Sequence, residues 1–493
     1  MHIEGIRAQL AALLGDGKVL TDQATLASRG HDFWLLDLQK RLHGVAMPIP
    51  VCVVRPDSAA EVSAVLAFAN RENVPVVPYG AGSGVCGGAR PTESAIVLDL
   101  GAINRILSVN ETALTVTVQP GMLGKDLEAE LNRRGYSMGH FPQSMNISSV
   151  GGWVATRASG QFSTRYGSIE NMLVCLKAVL ADGTVAETKN VPRSSTGPSV
   201  NELLLGSEGT LAVVVEATYK IHPLPEKQCM RAFQFSRFAQ GLEAIRKIVR
   251  AGWKPPLVRL YDVEETKRHF AEVADAGSCF LLVLSEGPAR LAEVELEACT
   301  EICTQEGGLD RGEEPVSHWL QNRFRIPDLN ELARDKGVIF DTIEVAANWD
   351  HVSGLYEAVV AALKTVPGML AASAHSSHSY QQGTCLYFTF AAKKPYWLVR
   401  QIAQRVSPFG LGRFDSRRDA QTVERTYNQC WQKVMEATLA NHGTISHHHG
   451  VGKVRMPWLE HELATTYPIL ERVKRTLDPR GILNPGTFFK KLR

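Results

Sequence analysis

The chain has 493 residues, of which 44% are hydrophobic and 21% charged, and its formal net charge is +2. A chain of this length usually needs more than one hydrophobic core, so we expect two or three domains, and the small charge argues against a nucleic-acid-binding protein. No apolar run reaches the roughly 18 to 20 residues that a membrane helix needs, and no signal-peptide pattern opens the chain, so we expect a cytoplasmic protein.

The nine cysteines are scattered along the chain, and their odd number does not suggest a disulfide framework. Cys299 and Cys303 are the closest pair, in a helix-like run without a second Cys/His pair nearby. We therefore predict reduced thiols, with this pair packed in the core rather than bound to zinc.

Residues 1–49 are predicted to form a helical segment, and an alternation of strand and helix begins at residue 50. P-V-C-V-V-R-P at 50–56 has the pattern of a buried strand, and Ser58 and Glu61 form a capping-box pair ahead of a helix. V-P-V-V-P-Y at 74–79 follows as a second strand. This order predicts two parallel strands joined by a crossover helix.

A glycine-rich loop, G-A-G-S-G-V-C-G-G at 80–88, directly follows the second strand. Gly82, Gly84 and Gly87 satisfy the dinucleotide pattern G-x-G-x-x-G, and Asp99 stands near the place of a ribose-binding acid. Only A-R-P-T-E-S separates the last glycine from the next strand, too few residues for a helical return, which takes about a dozen. We therefore predict no Rossmann helix, but a loop whose amides approach an anion such as a diphosphate; a flexible turn is the alternative.

Two later glycine-containing stretches are also candidates for binding a polar or anionic group. In F-P-Q-S-M-N-I-S-S-V-G-G-W-V, Ser148 or Ser149 is predicted to cap a helix whose first turn, with Gly151 and Gly152, presents free amides. G-S-E-G-T-L at 206–211 then leads into a strand. After Pro223 and Pro225 the glycine loops stop, so a new domain is expected.

The three glycine-containing stretches, in this order, resemble the FAD-binding domain of the vanillyl-alcohol-oxidase type flavoproteins. P-Q-S-M-N-I-S-S-V-G-G-W-V-A-T-R-A-S-G, together with the distal S-H-H-H-G-V-G-K, is similar more narrowly to the alkyldihydroxyacetonephosphate synthase family. The resemblance implies an α+β fold with a two-part FAD-binding domain over 50–225, an α/β cap domain for the substrate over 226–440, and a C-terminal segment over 441–493 that returns to the FAD-binding domain.

The resemblance also implies FAD as the cofactor, and we expect it to be non-covalent because no histidine lies in the loop at 80–88. The positions carried over to the cofactor lie in the glycine-containing stretches and at their borders. They are Pro78, Gly80, Ala81, Gly82, Ser83, Gly84, Gln143, Ser144, Ser148, Ser149, Gly151, Gly152, Ala155, Thr156, Ser159, Gly160, Glu208, Thr210 and Val214. Arg157 matches a further position close to the flavin, and a surface ion pair is its alternative role.

The resembling family exchanges the acyl group of an acyl-dihydroxyacetonephosphate for a fatty alcohol through a flavin N5 adduct, without net redox change. That chemistry needs a base that is largely neutral near pH 7, as imidazole is. The resemblance assigns the base to the cluster His447, His448 and His449. It places Tyr387 and Arg259 in the same site, where a guanidinium would pair with a phosphate or a departing carboxylate.

From the residues alone, the histidine run has other interpretations. Three consecutive side chains point in different directions on a strand or helix, so we predict that they do not bind a metal ion together. A solvated polar loop remains the alternative. For Tyr387 the alternative is packing in the core, and for Arg259 an exposed strand end.

One position departs from the family pattern, because His375 stands where the family has an arginine. Histidine is charged only part of the time and lacks the planar fork that grips an oxyanion. His375 and His378 are therefore candidate substrate residues of a different pocket. The alternative function is an FAD-dependent dehydrogenase or oxidase of a 2-hydroxy acid or an alcohol.

The expected partners follow from these functions. We expect a small-molecule or lipid-like substrate, transient contact with a membrane surface, a homodimer and no nucleic acid. A flavin-binding protein without catalysis is a third hypothesis, and it would require the histidine cluster to be dispensable.

Overall fold

The computed structural model describes residues 3–329, 331–335, 337–394 and 416–490, so parts of the predicted segments 1–49, 226–440 and 441–493 lie outside the described residues. None of the described helices is both long and apolar enough to cross a bilayer. The helices are α1 Ile3–Leu14, α2 Gln23–Ser28, α3 Leu35–Leu42, α4 Ala59–Glu72, α5 Gly124–Arg133, α6 Val150–Thr156, α7 Ser163–Tyr166, α8 Ile169–Met172, α9 Val200–Leu204, α10 Phe238–Arg250, α11 Val263–His269, α12 Ala289–Gln305, α13 Glu314–Asn322, α14 Val352–Lys364, α15 Ser416–Ala440, α16 Met456–Leu463 and α17 Tyr467–Leu477.

The described strands form sheets of four, five, two and seven strands. They are β1 Val19–Leu20, β2 Cys52–Val54, β3 Val76–Tyr79, β4 Ile96–Asp99, β5 Ile106–Asn110, β6 Thr115–Val118, β7 Tyr136–Ser137, β8 Leu173–Val179, β9 Val185–Glu187, β10 Val213–Lys220, β11 His222–Pro223, β12 Lys227–Phe235, β13 Leu257–Tyr261, β14 Cys279–Gly287, β15 Leu309–Asp310, β16 Val338–Asn348, β17 Met369–Ser379 and β18 Gly383–Lys393.

The four-stranded sheet holds the predicted strand, helix and strand. Ser58 Oγ accepts the backbone N–H of Glu61 at 3.4 Å and so begins α4 at the expected place. The order β1-β2-β4-β3 differs from the prediction in one respect, since β4 lies between β2 and β3 and runs parallel to both. The N-terminal segment supplies β1, which pairs with β2, so that segment is not purely helical.

The glycine loop connects two parallel neighbours, β3 and β4, without any helix. The prediction of no Rossmann helix is confirmed, but the extended loop over residues 80–95 itself makes the crossover. Asp99 accepts hydrogen bonds from Arg29 and Arg55, both at 3.1 Å. Its carboxylate is therefore occupied by two arginines beside the first sheet and is not available to a ribose.

The five-stranded sheet, in the order β5-β6-β10-β8-β9, is antiparallel and packs against α5 and α6. The C-terminal segment returns to this half of the molecule. Leu483 forms a parallel bridge with Val76 of β3 and is buried in the core of the first sheet. The end of the chain is thus held beside the strand that leads into the glycine loop.

The seven-stranded sheet has the order β15-β12-β14-β13-β17-β18-β16, and all of its pairs are antiparallel. One face packs under α10, α12, α14 and α15. On the other face Leu257 and Tyr261 pack with Phe162 of the glycine-containing half. This second face of the sheet is therefore turned to the predicted cofactor region. The domain boundary predicted after residue 225 falls between β11 and β12.

Candidate cofactor and active site

A cavity of about 1280 Å³ extends from the glycine loop to the inner face of the seven-stranded sheet. Most of the predicted cofactor residues line it, as do six of the predicted catalytic and substrate residues: Arg259, His375, His378, Tyr387, His448 and His449. Four predicted residues do not line it: Gly160, Thr210, His447 and Arg157, the last of which is described below. Thr210 instead donates to Ser207 O at 2.6 Å, and a Cβ at Gly160 would lie 2.5 Å from Phe141 N, so both support neighbouring backbone.

The glycine loop keeps its amides available. None of the backbone N–H groups of residues 81–84 donates a hydrogen bond within the described part of the chain. A Cβ atom at Gly80 would lie 2.3 Å from Ser149 Oγ, so the loop and the start of α6 face each other closely. Gly82 has a φ of 69°, which glycine adopts without strain. Free amides within a narrow wall of small residues fit a diphosphate, and these residues would hold that part of FAD.

Ser149, one of the two predicted serines, stands at the N-cap position of α6, but its side chain makes no capping hydrogen bond. Ser148 Oγ accepts instead from Trp153 Nε1 at 2.9 Å. The N–H of Gly151 donates to Pro120 O at 2.9 Å, and a Cβ at this glycine would lie 2.4 Å from the proline ring. The prediction of a free amide is therefore wrong for Gly151, whose missing side chain makes room for proline. Among the described residues the amide of Gly152 has no such acceptor.

Glu208 joins the cofactor region to the loop that follows the histidines. Its carboxylate accepts the N–H groups of Val451 at 2.6 Å and Gly452 at 2.9 Å. Its carbonyl oxygen accepts from Asn484 Nδ2 at 2.7 Å. Burial raises the pKa of Glu208 to about 7, although the two amides oppose this shift. A residue carried over as a cofactor contact thus also positions the loop that follows the histidines.

The N-terminal segment reaches the same cavity, which no sequence pattern had indicated. Asp32 accepts the N–H of Trp34 at 3.1 Å and that of Ala89 at 3.3 Å, and Phe33 N–H donates to Gly84 O at 2.9 Å. Burial raises the pKa of Asp32 to about 7. These contacts fix the middle of the glycine loop and the residue that follows it to residues 32 and 33.

A row of side chains crosses four strands of the seven-stranded sheet. Glu344 on β16 lies opposite Tyr387 on β18, Tyr387 opposite His375 on β17, and His375 opposite Tyr261 on β13. Directly opposed residues point to the same face of a sheet. The rings of His375 and Tyr387 stack with their centroids 4.9 Å apart. Strand pairing therefore brings a carboxylate, two phenols and an imidazole together beside the cavity.

His448 and His449 stand next to this row, with ring centroids 6.0 and 5.5 Å from that of Tyr387. Their backbone N–H groups donate to Glu344 Oε1 at 3.2 and 2.8 Å. Burial, together with the neighbouring His449 and His378, lowers the pKa of His448 well below its usual value. His448 is therefore a neutral imidazole at pH 7. His449 Nδ1 lies 2.9 Å from Glu344 Oε2, but within the described residues no hydrogen bond of acceptable geometry joins these two atoms.

A buried ion pair supports the histidine loop. Arg455 is fully buried and donates to Glu344 and to the carbonyl oxygens of Ile445 and Gly450, both at 2.8 Å. Burial alone would raise the pKa of Glu344, but the Arg455 guanidinium and His449 hold it well below its usual value. No sequence pattern marks Arg455, because its partner lies on a strand far along the chain.

His375 uses both ring nitrogens within the protein. Its Nδ1 lies 2.8 Å from Glu265 Oε2, and its Nε2 lies 2.7 Å from Arg259 Nη2. Since a guanidinium only donates, Nε2 accepts and Nδ1 carries the hydrogen. Burial and Arg259 lower the pKa of His375 to about 4. The predicted substrate residue His375 therefore orients Arg259, which in turn faces the cavity.

His378 is held by two hydroxyl groups, Ser163 Oγ at 2.7 Å and Ser159 Oγ at 3.1 Å from its Nδ1. Its φ of 57° lies in the left-handed region, where the β17–β18 register shifts. Such a conformation in a residue other than glycine is strained and is held by its surroundings.

Arg323 is a cation that no sequence pattern identified. Its Cζ lies 4.5, 4.7 and 4.7 Å from the ring centroids of Phe141, Phe162 and Phe324. Within the described residues its Nη1 has no hydrogen-bond partner, although it is buried. Burial lowers the pKa of Arg323 to about 10, so it stays charged at pH 7. Because Arg323 lines the cavity, its positive charge is available there to an anionic group.

Arg157 does not reach the cavity. Its side chain is 48% exposed, and its Nη2 lies 3.8 Å from Glu170 and 3.7 Å from Glu202. Arg157 is therefore part of a loose surface ion pair, and its predicted place near the flavin is corrected.

Potential metal ligands from Cys385, His447 and His448 lie within 4.8 Å of one another. The Nδ1 atoms of the two histidines already contact each other at 2.8 Å. Burial raises the pKa of the Cys385 thiol well above its usual value, so it is protonated. The absence of a bound metal stays a prediction, which metal analysis of the purified protein tests.

Known proteins resemble this chain along nearly its whole length. A family model described as the FAD binding domain matches residues 50–189, and one described as the C-terminal domain of FAD linked oxidases matches residues 224–488. The uncharacterised FAD-linked oxidoreductase YgcU of Escherichia coli K12 is 34% identical, with 98% of this chain and 97% of that protein aligned. The alkyldihydroxyacetonephosphate synthase of Dictyostelium discoideum is 29% identical over 92% of this chain and 75% of that protein.

A solved alkyldihydroxyacetonephosphate synthase shares the fold, with a TM-score of 0.78 and 24% identity over 98% of this chain and 85% of that one. This likeness confirms the predicted α+β fold, and the two family models confirm FAD as the cofactor, in agreement with the free amides of the glycine loop. The chain belongs to the FAD-linked oxidase family.

Proposed function

We propose that the protein exchanges the acyl group of an anionic, lipid-like substrate for a fatty alcohol, as alkyldihydroxyacetonephosphate synthases do. The observation that carries this proposal is the placement of a neutral imidazole, a phenol and two guanidinium groups around one cavity beside the cofactor loop: His448, Tyr387, Arg259 and Arg323. The flavin, when bound, supplies an electron sink for the reacting carbon.

His448 is the proposed base. Its Nδ1 is engaged by His447 at 2.8 Å, so Nε2 is the nitrogen left for a substrate proton. Tyr387 O–H lies 3.0 Å from Thr342 Oγ1, which orients the phenol. Burial raises the pKa of Tyr387, so its hydroxyl keeps its proton and donates to an oxygen that gains negative charge.

Arg259 and Arg323 are the proposed anion-binding groups. Arg259 is held by Tyr261 Oη at 2.8 Å and by His375, and Arg323 by its three phenyl rings. A substrate that carries a phosphate and releases a carboxylate offers an anion to each of them. The wall nearby also contains the charged residues Arg325, Asp328 and Glu331, but it has an apolar part that suits an alkyl chain. This part includes Ile326, Pro327, Leu329, Val338, Phe340 and Ala391.

The test is product formation by FAD-loaded protein given palmitoyl-dihydroxyacetonephosphate and hexadecanol without an electron acceptor. Equal amounts of ether product and palmitate are expected by mass spectrometry, and His448→Asn should lower turnover by about 100-fold or more. If FAD-replete protein forms no ether product, the proposed acyl exchange is wrong.

A dehydrogenase or oxidase of a 2-hydroxy acid or an alcohol is the second candidate. It is favoured by His375, whose nitrogens are both engaged, so that it cannot grip a phosphate as an arginine would. The two arginines would then hold a single carboxylate. Substrate-dependent reduction of an external dye, with a panel of hydroxy acids and alcohols, tests this candidate.

A further inference from the structure

His447 does not line the cavity, yet it contacts the proposed base. Its Nδ1 lies 2.8 Å from His448 Nδ1, and its Nε2 lies 2.8 Å from Tyr380 Oη. Tyr380 follows β17 and keeps 36% of its surface exposed. The three side chains therefore form a continuous hydrogen-bonded chain from the cavity wall to a residue that solvent reaches.

We propose that His447 and Tyr380 form a proton-transfer route between His448 and solvent. The proposal rests on the proposed function to the extent that His448 takes up a proton from the substrate. It gives His447, the one member of the histidine cluster outside the cavity, a role that differs from that of a base.

The number of protons is conserved along this route. Before transfer, His448 carries its hydrogen on Nδ1 and His447 on Nε2. A substrate proton bonds to His448 Nε2, and the electron pair of the broken bond stays on the substrate. The Nδ1 hydrogen of His448 then passes to His447 Nδ1, the Nε2 hydrogen of His447 passes to Tyr380 Oη, and the phenolic hydrogen leaves to water. One proton enters and one leaves, and the reverse transfer resets both rings.

The surroundings of His447 and His448 disfavour a lasting positive charge on either imidazole, so a proton taken from the substrate is passed on. Burial lowers the pKa of His447 to about 4, and that of His448 lies well below its usual value. His378 faces both rings, with centroids 5.2 and 4.9 Å away, and His449 adjoins His448. Glu344 is fully buried and is occupied by Arg455 and by backbone amides. Among the described side chains that contact His447, Tyr380 is the most exposed, whereas the three histidines of the cluster are partly buried.

The variant Tyr380→Phe removes the last hydroxyl of the route and keeps the ring. We expect turnover to fall about 10- to 100-fold, the solvent deuterium isotope effect to rise, and added imidazole to restore most of the loss. His447→Gln should behave in the same way. The matched control is Trp349→Phe, which loses the bond from Trp349 Nε1 to Tyr380 O at 3.1 Å but keeps the phenol. Unchanged turnover in Tyr380→Phe, or a loss that imidazole does not restore, would overturn the route.

A second measurement needs no substrate. In protein with ¹⁵N-labelled histidine, nitrogen chemical shifts should show His447 as the Nε2–H tautomer and His448 as the Nδ1–H tautomer, and Tyr380→Phe should shift the His447 signal. The opposite tautomers overturn the route whatever the activity. If the expected tautomers occur in a protein that makes no ether product, the route is supported and the proposed acyl exchange fails instead.

Discussion

At the residue scale, Arg323 tests whether the cavity binds an anion. Its guanidinium lies among three phenyl rings without an ion pair to any described carboxylate. Because a charge-assisted hydrogen bond contributes about 1.5–3 kcal/mol, Arg323→Gln should raise the KM for the anionic substrate about 10- to 100-fold and leave the FAD content unchanged.

The matched control is Arg290→Gln, the same change of charge at an exposed residue that does not line the cavity. Its KM should stay within about twofold of the wild-type value, because an exposed charge is screened by water. Equal increases in the two variants would show a general effect of charge and contradict a specific anion site at Arg323.

Glu344 tests the buried support of the histidine loop at the same scale. Glu344→Gln leaves Arg455 buried without a counter-charge, which is expected to lower the free energy of unfolding by about 3–5 kcal/mol. The measurement is denaturant unfolding followed by tryptophan fluorescence. The control, Glu460→Gln, breaks the exposed pair with Lys490 and should cost at most about 1 kcal/mol. Similar losses in both variants would count against a supporting role for the buried pair.

At the scale of elements, sequence patterns predicted the structure correctly where it depends on residues that are close together along the chain. Helix α4 begins where Ser58 and Glu61 predict it, and the glycine loop forms no helix because too few residues follow it. At α6 the N-cap position falls on Ser149, one of the two predicted serines, but without a capping hydrogen bond, and Trp153 occupies the hydroxyl of the other candidate, Ser148. Such competition depends on which side chain packs nearby, and the spacing of residues along the chain does not report it.

The row of polar side chains across the seven-stranded sheet shows why part of the candidate site could not be predicted from the sequence. Tyr387, His375 and Glu344 meet because β16, β18 and β17 are neighbours in one register, and a shift by one residue would turn each side chain to the other face. The resemblance to a family pointed to Tyr387 and the histidines. It did not point to Glu344 or Arg455, which act through buried contacts with distant strands.

A substitution at Gly80 tests whether the glycine loop forms the wall against which FAD binds. A methyl group at this position would meet Ser149 Oγ at 2.3 Å and narrow the wall of the cavity. Because overpacking costs about 1–3 kcal/mol, Gly80→Ala should weaken FAD binding at least about fivefold in a fluorescence titration of the apoprotein. In the control Gly17→Ala the added methyl has no neighbour within 4 Å, so affinity should be unchanged. Wild-type affinity in Gly80→Ala would place the cofactor elsewhere.

At the scale of the whole molecule, the site is assembled from three regions of the chain. The glycine-containing half supplies free amides, the seven-stranded sheet supplies the row of polar side chains, and the C-terminal loop supplies the imidazoles. The α+β fold and FAD were predicted correctly because glycine-rich stretches are local signals. The cytoplasmic location, the homodimer, the membrane contact and the non-covalent attachment of FAD stay predictions.

Acid stability is a property of the whole molecule. His140 is fully buried, and neither ring nitrogen has a partner within the described residues. Burial lowers the pKa of His140 to about 3, so the unfolded chain, with a pKa near 6.5, binds the proton more readily. The free energy of unfolding should therefore fall as pH decreases from about 6.5 to 3, by up to about 1.4 kcal/mol per pH unit for this group.

In unfolding curves measured from pH 7 to 4, His140→Phe should reduce the pH dependence of the free energy of unfolding by up to about 1.4 kcal/mol per pH unit. The control His461→Asn alters an exposed histidine and should follow the wild-type curve. Parallel curves for wild type and His140→Phe would show that His140 is not the buried neutral group described.

Acyl exchange without net oxidation is most directly tested by anaerobic rapid mixing. FAD-loaded protein is mixed with palmitoyl-dihydroxyacetonephosphate and hexadecanol while the flavin spectrum is recorded and the products are sampled. We predict that ether product accumulates over many turnovers and that the oxidised flavin spectrum is fully recovered at the end. Lasting bleaching by a 2-hydroxy acid or an alcohol, without any ether product from the acyl substrate, would contradict this function and identify a dehydrogenase.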